Sequence, residues 1–507
     1  MRRPTDATLL LAAIVGLTFV ASLFVGTRAN AFPFLFHPDE PSKAEQIALG
    51  EYNFNHPQLE LQAGHLIAWL RTGDVRGLAS PDEVYLPHRQ RIVQSGRLAS
   101  AGFTALAGAI FAGLACAVRG PIAGIAVGSG LVVCPGLVAN AHFFKEDAAF
   151  IFTIAVWLTA AAWHVRRRST TSLVVFVVAC GLAVCGKWIG GLLTIYGFAL
   201  IAAIAPRDRR LRHASVLSLA LVPFLLVNLP IFWQFHNVIA GSRHEASHIA
   251  TGHEGLILPR WPVYVAELWT IGPILLGLAG YEGYVLARCP ERRWAAWWLV
   301  PTLAVGLLLI VLMSRVVSPR YVLPTVVLLV VLGGMGLSSL AADLATKVKT
   351  PVVLGVAAIL LAVGLVMPGL RSYQYLRVFQ HDTRLDLRAW VQSNLQPGDK
   401  LAHDAWTGLW HWDVPVESSR LPLALADTTV EKLAAEGFTH LAIADRSYEQ
   451  FFVPGVRVTD DYAETYEIVR ARYSDLLDHQ PIVEFSPTTP TPPHMSPRVL
   501  VYRLPIR

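Results

Sequence analysis

Two pairs of adjacent acidic residues stand beside hydrophobic stretches of this chain. Asp39 and Glu40 occur in Phe36-His37-Pro38-Asp39-Glu40-Pro41, where the two prolines restrict the backbone. A carboxylate held near hydrocarbon has its pKa raised by desolvation, which suits a general base. Acids in a loop are often merely solvated. The apolar run before this pair favours a chemical role, with Asp39 as the base and Glu40 beside it.

The second acidic pair, Glu146 and Asp147, opens an apolar stretch and follows His142 and Lys145. Acidic residues at the start of a helix can simply cap it and favour the positive end of its dipole. A role in binding a polar ligand is compatible with capping, and the neighbouring histidine and lysine indicate a polar cavity. We expect both acidic pairs to face the same side of a membrane and the same cavity.

Several basic residues also stand where a membrane protein rarely places them. Lys187 lies inside an apolar stretch, where it could snorkel or bind an anionic ligand. Arg315, Arg320 and Tyr321 fall in a loop predicted below to lie outside the cytoplasm. Lipid head groups would account for these arginines, and so would a substrate that carries phosphate.

A histidine-rich loop is the one candidate metal site in the sequence. The spacing of His244 and His248 could place two imidazoles on one face of a helix, as zinc sites do, and His253 follows. No cysteine or third ligand completes the pattern, so contacts with substrate or lipid are the favoured interpretation. A divalent cation stays as an alternative, and no other cofactor is indicated.

The composition is that of a polytopic α-helical membrane protein. Of the 507 residues, 54% are hydrophobic and 15% charged, against about 25% charged in typical soluble domains. The mean hydropathy is +0.46. Repeated apolar runs of about 18 residues or more indicate membrane spans. The net charge of +6 comes from short basic tracts beside these runs, which argues for membrane topology and against nucleic-acid binding.

The basic tracts predict the topology of the spans. Arg2 and Arg3 precede an apolar run that fits a signal peptide with a cleavage site at Ala29-Asn30-Ala31 or a retained anchor. The length of the run favours the anchor, with a cytoplasmic N-terminus. A long outer loop then covers residues 28–96 and includes an interfacial helix at 56–71. The further apolar segments lie near residues 97–118, 121–139, 147–164, 172–186, 187–205, 212–233, 263–287, 295–313, 319–342 and 351–370. Alternation then gives about eleven spans, with 172–205 as a hairpin of short helices tipped by Lys187.

The same alternation places both acidic pairs and the C-terminus outside the cytoplasm. Residues 1–370 are predicted to form the membrane domain. From residue 371 onward the composition becomes that of a soluble domain, in which short apolar runs alternate with helix-like stretches. We therefore expect residues 371–507 to form a small extracytoplasmic α/β domain.

Taken together, these motifs resemble the GT-C glycosyltransferases, and among them the bacterial protein O-mannosyltransferases and aminoarabinose transferases. The resemblance covers about residues 1–342 and extends to His56, in Asn55-His56-Pro57-Gln58-Leu59, and to Arg97. Its late-span motif is Arg320-Tyr321-Val322-Leu323-Pro324. The C-terminal region carries no specific signature.

The resemblance implies an enzyme of the bacterial inner membrane that takes a mannose-like sugar or a pentose from a polyprenyl-phosphate donor. The sugar would pass, with inversion, to a protein, lipid or glycan acceptor outside the cytoplasm. By the same resemblance Asp39 is the catalytic base and Glu40 supports it. The remaining residues would bind substrate: Glu146 and Asp147 toward the acceptor or sugar, and Lys187, Arg320 and Tyr321 toward the donor phosphate. His56 and His142 are also expected among the substrate-binding residues.

Two other classes of function fit the same residues. A transporter or flippase of lipid-linked sugars would use a similar anion-binding cavity, although the internal repeats typical of transporters are not seen in the sequence. A binding subunit that retains the fold without catalysis is the third alternative.

Either Glu146 or Asp147 could be the family's second acid, because the motif reads Lys-Glu-Asp.

Overall fold

Apolar helices dominate the chain up to residue 378, and a β-sheet follows in the C-terminal part. The computed structural model describes residues 6–30, 37–73, 85–204, 215–251, 255–288, 295–410, 414–421, 424–426, 428–492 and 494–504. The helices are α1 (Asp6–Thr27), α2 (Glu40–Leu49), α3 (Leu59–Thr72), α4 (Tyr85–Arg119), α5 (Pro121–Val132), α6 (Pro135–Ala141), α7 (Glu146–Arg167), α8 (Thr170–Gly186), α9 (Gly191–Ile204), α10 (Leu221–Val227), α11 (Phe235–Thr251), α12 (Arg260–Trp269), α13 (Pro273–Arg288), α14 (Ala295–Met313), α15 (Leu323–Ala345), α16 (Thr350–Val378), α17 (Thr383–Asn394), α18 (Val430–Ala435), α19 (Asp445–Tyr448) and α20 (Ala463–Leu477). The strands are β1 (Leu256–Ile257), β2 (Lys400–Asp404), β3 (Glu417–Leu421), β4 (His440–Ala444), β5 (Arg457–Val458), β6 (Val483–Phe485) and β7 (Val499–Arg503).

Five helices of the described chain are long and apolar enough to cross a membrane. They lie within Asp6–Thr27, Arg89–Arg119, Glu146–Arg167, Pro319–Ala345 and Thr350–Asn394. Two bent pairs, α5 with α6 and α12 with α13, raise the number to seven if each pair is one span. The structure therefore supports five to seven spans in the described chain, whereas about eleven were predicted. Four of the predicted segments contain apolar helices shorter than 18 residues.

The bends have local causes. Helix α6 begins with Pro135 and helix α13 with Pro273, and a proline cannot donate the backbone hydrogen bond that would continue the preceding helix. The axes turn by 56° between α5 and α6 and by 91° between α12 and α13. Gly272 adopts a positive φ of 83° at the second bend, a conformation that favours glycine.

A buried ion pair joins three of the membrane helices. Glu282 of α13 is fully buried and accepts from Arg119 of α4 at 3.0 and 2.5 Å. Its second oxygen accepts from the hydroxyl of Ser339 of α15 at 2.5 Å. A buried carboxylate must be paired, so this contact fixes how the three helices pack.

Two local predictions for the membrane region are confirmed. The helix expected at 56–71 is α3, which buries Glu60 and Leu61 and exposes Leu66, Trp69 and Leu70. The hairpin expected at 172–205 consists of α8, an extended Lys187, a 3₁₀ turn and α9. The Thr194 hydroxyl donates to the carbonyl of Cys180 at 2.6 Å across this hairpin.

The C-terminal part contains a five-stranded mixed sheet in the order β3-β2-β4-β7-β6. Strand β2 runs parallel to β3 and β4, whereas β7 runs antiparallel to β4 and β6. Side chains of β4 alternate between the two faces, where Leu441 packs toward α20 and Ala442 toward α17. The boundary expected at 370/371 falls inside α16.

Candidate active site

The predicted charged residues come from four segments that are far apart in sequence and meet in one cluster. The start of α2 carries Asp39 and Glu40, and the start of α7 carries Glu146 and Asp147. The third segment is the hairpin tip at Lys187. The fourth is the 3₁₀ turn Pro319–Val322, which precedes α15 and carries Arg320.

Glu40 anchors the first segment. Its fully buried carboxylate accepts from Nε and Nη2 of Arg97 on α4, at 2.9 and 2.8 Å. The backbone N–H of Phe144 also donates to Glu40, at 3.1 Å. These bonds hold α2, α4 and the 143–145 loop together. Glu40 is therefore enclosed by protein groups, and its contacts are those of a positioning residue.

The ring of Phe144 fixes the loop that leads into α7. The ring lies directly over Gly96 of α4, where a Cβ atom would stand 2.1 Å from a ring carbon, and over Gly64 of α3. Any larger residue at Gly96 would displace the ring. This contact fixes the position of the neighbouring Lys145.

Asp39 differs from the other acids because solvent reaches it. Its side chain is 38% exposed, whereas those of Glu40, Glu146 and Asp147 are 4% exposed or less. Its carboxylate accepts from the buried ammonium of Lys145. The burial near hydrocarbon that we expected for Asp39 falls on Glu40 instead. Successive helical residues point about 100° apart, so only one of the pair faces the interior.

Glu146 lies next to two lysines and a histidine. Its oxygens lie 3.0 Å from Nζ of Lys43, 3.0 Å from Nε2 of His56 and 2.9 Å from Nζ of Lys145. Lys145 thus lies between Asp39 and Glu146. Burial is the main cause that lowers the pKa of Lys145 to about 8, and the charge of Arg320 adds to it.

Asp147 holds the cation at the hairpin tip. Its Oδ1 accepts from Nζ of Lys187 at 2.6 Å. The same ammonium lies 5.3 Å from the centroid of the Tyr321 ring, and the Arg320 guanidinium lies 5.5 Å from it. Arg320 Nη1 donates to Nε2 of His37 at 2.9 Å. Because burial lowers the pKa of His37 well below its usual value, this imidazole is neutral and can accept that bond.

Glu60 is a further carboxyl near this cluster, and no motif predicted a role for it. Glu60 is buried on α3, and its Oε1 lies 2.7 Å from the hydroxyl of Ser100, which also lies 2.6 Å from the carbonyl of Phe143. One hydroxyl proton cannot serve both acceptors at once. Burial raises the pKa of Glu60 to about 8, so a protonated Glu60 can donate to Ser100, and Ser100 to Phe143.

His142 does not join the cluster. Its ring nitrogens lie 2.7 Å from the carbonyl of Val138 and 2.8 Å from that of Arg28, and the ring stacks on Phe379. Burial lowers the pKa of His142 to about 4, and the two carbonyls act in the opposite direction. The role of His142 in binding substrate stays a prediction.

Much of the histidine-rich loop forms helix α11. His244 lies on this helix, the side chain of His248 is not described, and His253 lies outside the described residues. No group of three histidine, cysteine or acidic side chains suited to a metal occurs in the part of the chain that the structure describes.

The C-terminal part contributes a residue, His494, that no sequence motif singles out. The ring of His494 lies 4.8 Å from that of His37 and stacks on Trp406 at 5.5 Å. Next to it, Met495 packs with Phe143 and Phe379 in one hydrophobic cluster. His494 is preceded by a proline-rich loop, and such a sequence does not predict contact with residue 37.

The cluster as a whole combines one accessible carboxylate with several buried cations. Asp39 can take a proton from a bound hydroxyl, and the cations near Tyr321 can stabilise an anion. Arg315, which we grouped with Arg320, is absent from these contacts and lines a separate cleft.

Solved structures with this fold include one protein in two states. ArnT from Cupriavidus metallidurans bound to undecaprenyl phosphate aligns with a TM-score of 0.52 and 15% identity, over 96% of this chain and 97% of that one. The apo state of the same protein aligns with a TM-score of 0.50 and 15% identity, over 98% of each chain. No protein-family model matches the chain. No curated protein matches it either. The similarity shows that this chain shares its fold with ArnT, and it agrees at that level with the resemblance drawn from the motifs.

Proposed function

We propose that this protein is a membrane glycosyltransferase that moves a sugar from a polyprenyl-phosphate donor to a hydroxyl of a protein, lipid or glycan acceptor. The proposal includes a multi-pass location in a bacterial inner membrane, with the charged cluster and residues 371–507 on the extracytoplasmic side. The ArnT structure contains undecaprenyl phosphate, a lipid of the donor class proposed here.

The accessibility of Asp39 beside buried cations carries the proposal. An acceptor can reach this carboxylate, because its side chain is 38% exposed, while the other three acids of the cluster are enclosed. A reaction between a hydroxyl and a sugar phosphate needs a base on one side and positive charge on the other. The cluster offers both within one set of contacts.

The proposed step is a single displacement. The acceptor oxygen forms a bond to the anomeric carbon while its proton passes to Asp39. The bond between that carbon and the phosphate oxygen breaks, and the electron pair leaves with the polyprenyl phosphate. Attack from the face opposite the leaving group inverts the anomeric carbon. The sugar–phosphate bond supplies the free energy, so no nucleotide is required.

Lys187, Arg320 and Tyr321 are proposed to hold the departing phosphate. A phosphate gains most from cations in a site that excludes water. Asp147 positions Lys187 through the 2.6 Å bond, and His37 positions Arg320. Glu146 in turn draws Lys43, His56 and Lys145 together, so the buried acids act here by arranging cations rather than by binding sugar.

A transfer assay with purified full-length protein tests this function. Labelled polyprenyl-phosphate mannose and a polyprenyl-phosphate pentose are supplied in turn, with cell-envelope fractions as acceptors. We expect labelled acceptor and free polyprenyl phosphate to appear together. The Asp39→Asn variant should lower the rate by about 10²-fold or more.

The exposed Asp475 on α20 provides a matched control, because Asp475→Asn changes the same group far from the cluster. Undiminished transfer by the Asp39→Asn variant would disprove its role as base. Movement of the intact donor across a vesicle membrane, with its sugar–phosphate bond unbroken, would instead assign the protein to the transporters.

A further inference from the structure

Three arginines converge on a cleft that is separate from the acid and cation cluster. The cleft has a volume of about 290 Å³ and is lined by Arg260, Arg315 and Arg457, with Thr459 and Asp460 at its edge. Arg260 begins α12, Arg315 follows α14, and Arg457 belongs to β5 in the C-terminal part. The cleft therefore lies where the helical part meets the sheet-bearing part.

The three arginines of this cleft have no carboxylate partner among the described residues. Within those ranges, none of their guanidinium groups lies within 4.0 Å of a carboxylate in an ion pair. One N–H of Arg260 donates to the carbonyl of Leu312. Asp460 is the acid at the edge, so the cleft keeps an excess of positive charge. Unpaired guanidinium groups that face one cavity favour an anion between them.

The surface next to the cleft has the character of a membrane boundary. Trp261, Val265 and Trp269 lie at intervals of four residues on one side of α12, and each side chain is more than half exposed. Met313, which ends α14, is 81% exposed. Exposed tryptophans beside apolar side chains are typical of the level of lipid head groups. A ligand in the cleft would thus lie at that level.

We propose that the cleft formed by Arg260, Arg315 and Arg457 binds the phosphate of a membrane lipid head group. Guanidinium groups donate paired N–H bonds to phosphate oxygens, and three such groups from three segments can surround one phosphate. The Thr459 hydroxyl adds a donor at the edge. The proposal is independent of sugar transfer, because none of these residues contacts the acid and cation cluster.

The cleft and the cluster are nevertheless connected through one short segment. Arg315 and Arg320 are five residues apart, so their Cα atoms are separated by at most about 18 Å. Val317, in the segment between them, packs against the hydrophobic cluster that contains Tyr264 of α12. A lipid held by Arg315 would therefore lie beside the segment that carries Arg320.

Binding of a labelled short-chain phosphatidic acid to the full-length protein in neutral detergent tests the proposal. We expect Arg315→Gln and Arg457→Gln each to weaken binding about tenfold, since each removes hydrogen bonds between charged groups. Arg470→Gln, which removes an exposed arginine from α20, should leave the affinity unchanged. Asp460→Asn should tighten binding, because it removes the one negative charge at the edge.

Competition with inorganic phosphate separates the two sources of the same chemistry. Weak competition, together with the arginine effects, supports a lipid as the ligand. If inorganic phosphate competes as strongly as unlabelled lipid does, the cleft is a phosphate site, but its ligand is free phosphate rather than a lipid. The proposal is overturned if Arg470→Gln weakens phosphatidic acid binding as much as the cleft variants do. It is also overturned if neither cleft arginine variant changes that binding. If an arginine variant fails to fold, the Asp460→Asn variant still tests the proposal. Phosphatidic acid binding that is unchanged or weaker in this variant also contradicts the proposal.

Discussion

The guanidinium of Arg97 donates two parallel hydrogen bonds to the carboxylate of Glu40, at 2.9 and 2.8 Å, and both side chains are fully buried. The pair joins α4 to the first turn of α2. Since Asp39 directly precedes Glu40, this contact also determines where Asp39 lies relative to Lys145. The position of the proposed base thus depends on an ion pair beneath it.

Removal of the arginine should therefore destabilise the protein. In the Arg97→Met variant the carboxylate of Glu40 stays buried without its cation, which costs about 3–5 kcal/mol. The measurement is unfolding of the purified protein in detergent. The exposed Arg377 provides the control, because Arg377→Met should change stability by about 0.5 kcal/mol or less.

A second substitution tests the cause of that loss. Addition of Glu40→Gln to Arg97→Met removes the unpaired charge and should restore part of the stability. An Arg97→Met variant as stable as the unsubstituted protein would show that the pair does not hold α2 in place.

Loss of the cations proposed to face the donor phosphate should lower transfer in a different way from loss of the proposed base. Lys187→Met and Arg320→Met are each expected to lower kcat/KM by about 10²–10³-fold, because positive charge at the leaving phosphate is removed. Lys187→Arg should retain part of the activity. Binding of labelled polyprenyl phosphate should weaken in both methionine variants and stay unchanged in Asp39→Asn.

Arg288 is a matched control for these cations, since its guanidinium lies 4.4 Å from the ring of Tyr284 outside the cluster. Arg288→Met should leave donor binding unchanged. Donor affinity that is equal in Lys187→Met, Arg320→Met and the unsubstituted protein would remove these residues from the phosphate site.

Glu60 should make stability depend on pH. Burial raises its pKa from 4.5 to about 8, so the folded state binds more protons than the unfolded state between these values. Its contribution to stability is complete below pH 4.5 and is lost as the pH rises through about 8. Glutamine cannot ionise, so the Glu60→Gln variant should gain thermal stability relative to the unsubstituted protein from pH 5 to pH 8.

Unfolding midpoints at several pH values measure this difference, with Glu464→Gln on the surface of α20 as the control. A difference between Glu60→Gln and the unsubstituted protein that stays constant from pH 5 to pH 8 would mean that Glu60 does not change its protonation on unfolding.

His494 should affect transfer although it belongs to the C-terminal part. The His494→Ala variant removes the ring that packs between His37 and Trp406. Because His37 accepts from Arg320, a small displacement should lower the transfer rate about ten- to a hundredfold. Steady-state kinetics with the exposed His381→Ala as control provide the measurement. Normal rates in His494→Ala would show that the C-terminal contact plays no part in the site.

The sequence alone predicted the members of the cluster better than their contacts. The acidic pairs, the lysine at a hairpin and the Arg-Tyr motif were selected from type and position, and the structure brings Asp39, Asp147, Lys187 and Arg320 into one cluster. The hairpin around Lys187 was also predictable, because two short apolar runs flank a single charge.

The partners could not be predicted, since they depend on packing over long distances in sequence. Lys43 lies on an amphipathic turn like many solvated lysines, yet it pairs with Glu146. His142 stands beside the second acidic pair, but the bend between α5 and α6 turns its ring toward Phe379. No periodic pattern distinguishes which residue of the Asp39-Glu40 pair faces inward.

The short pairing of β1 with β5 has a consequence for movement. Leu256 and Ile257 pair with Val458 and Arg457, so the sheet-bearing part is tied to the helical part at this point as well as through α16 and His494. A body attached at one point can swivel about it, whereas three separated attachments oppose a swing of the C-terminal part as a rigid body.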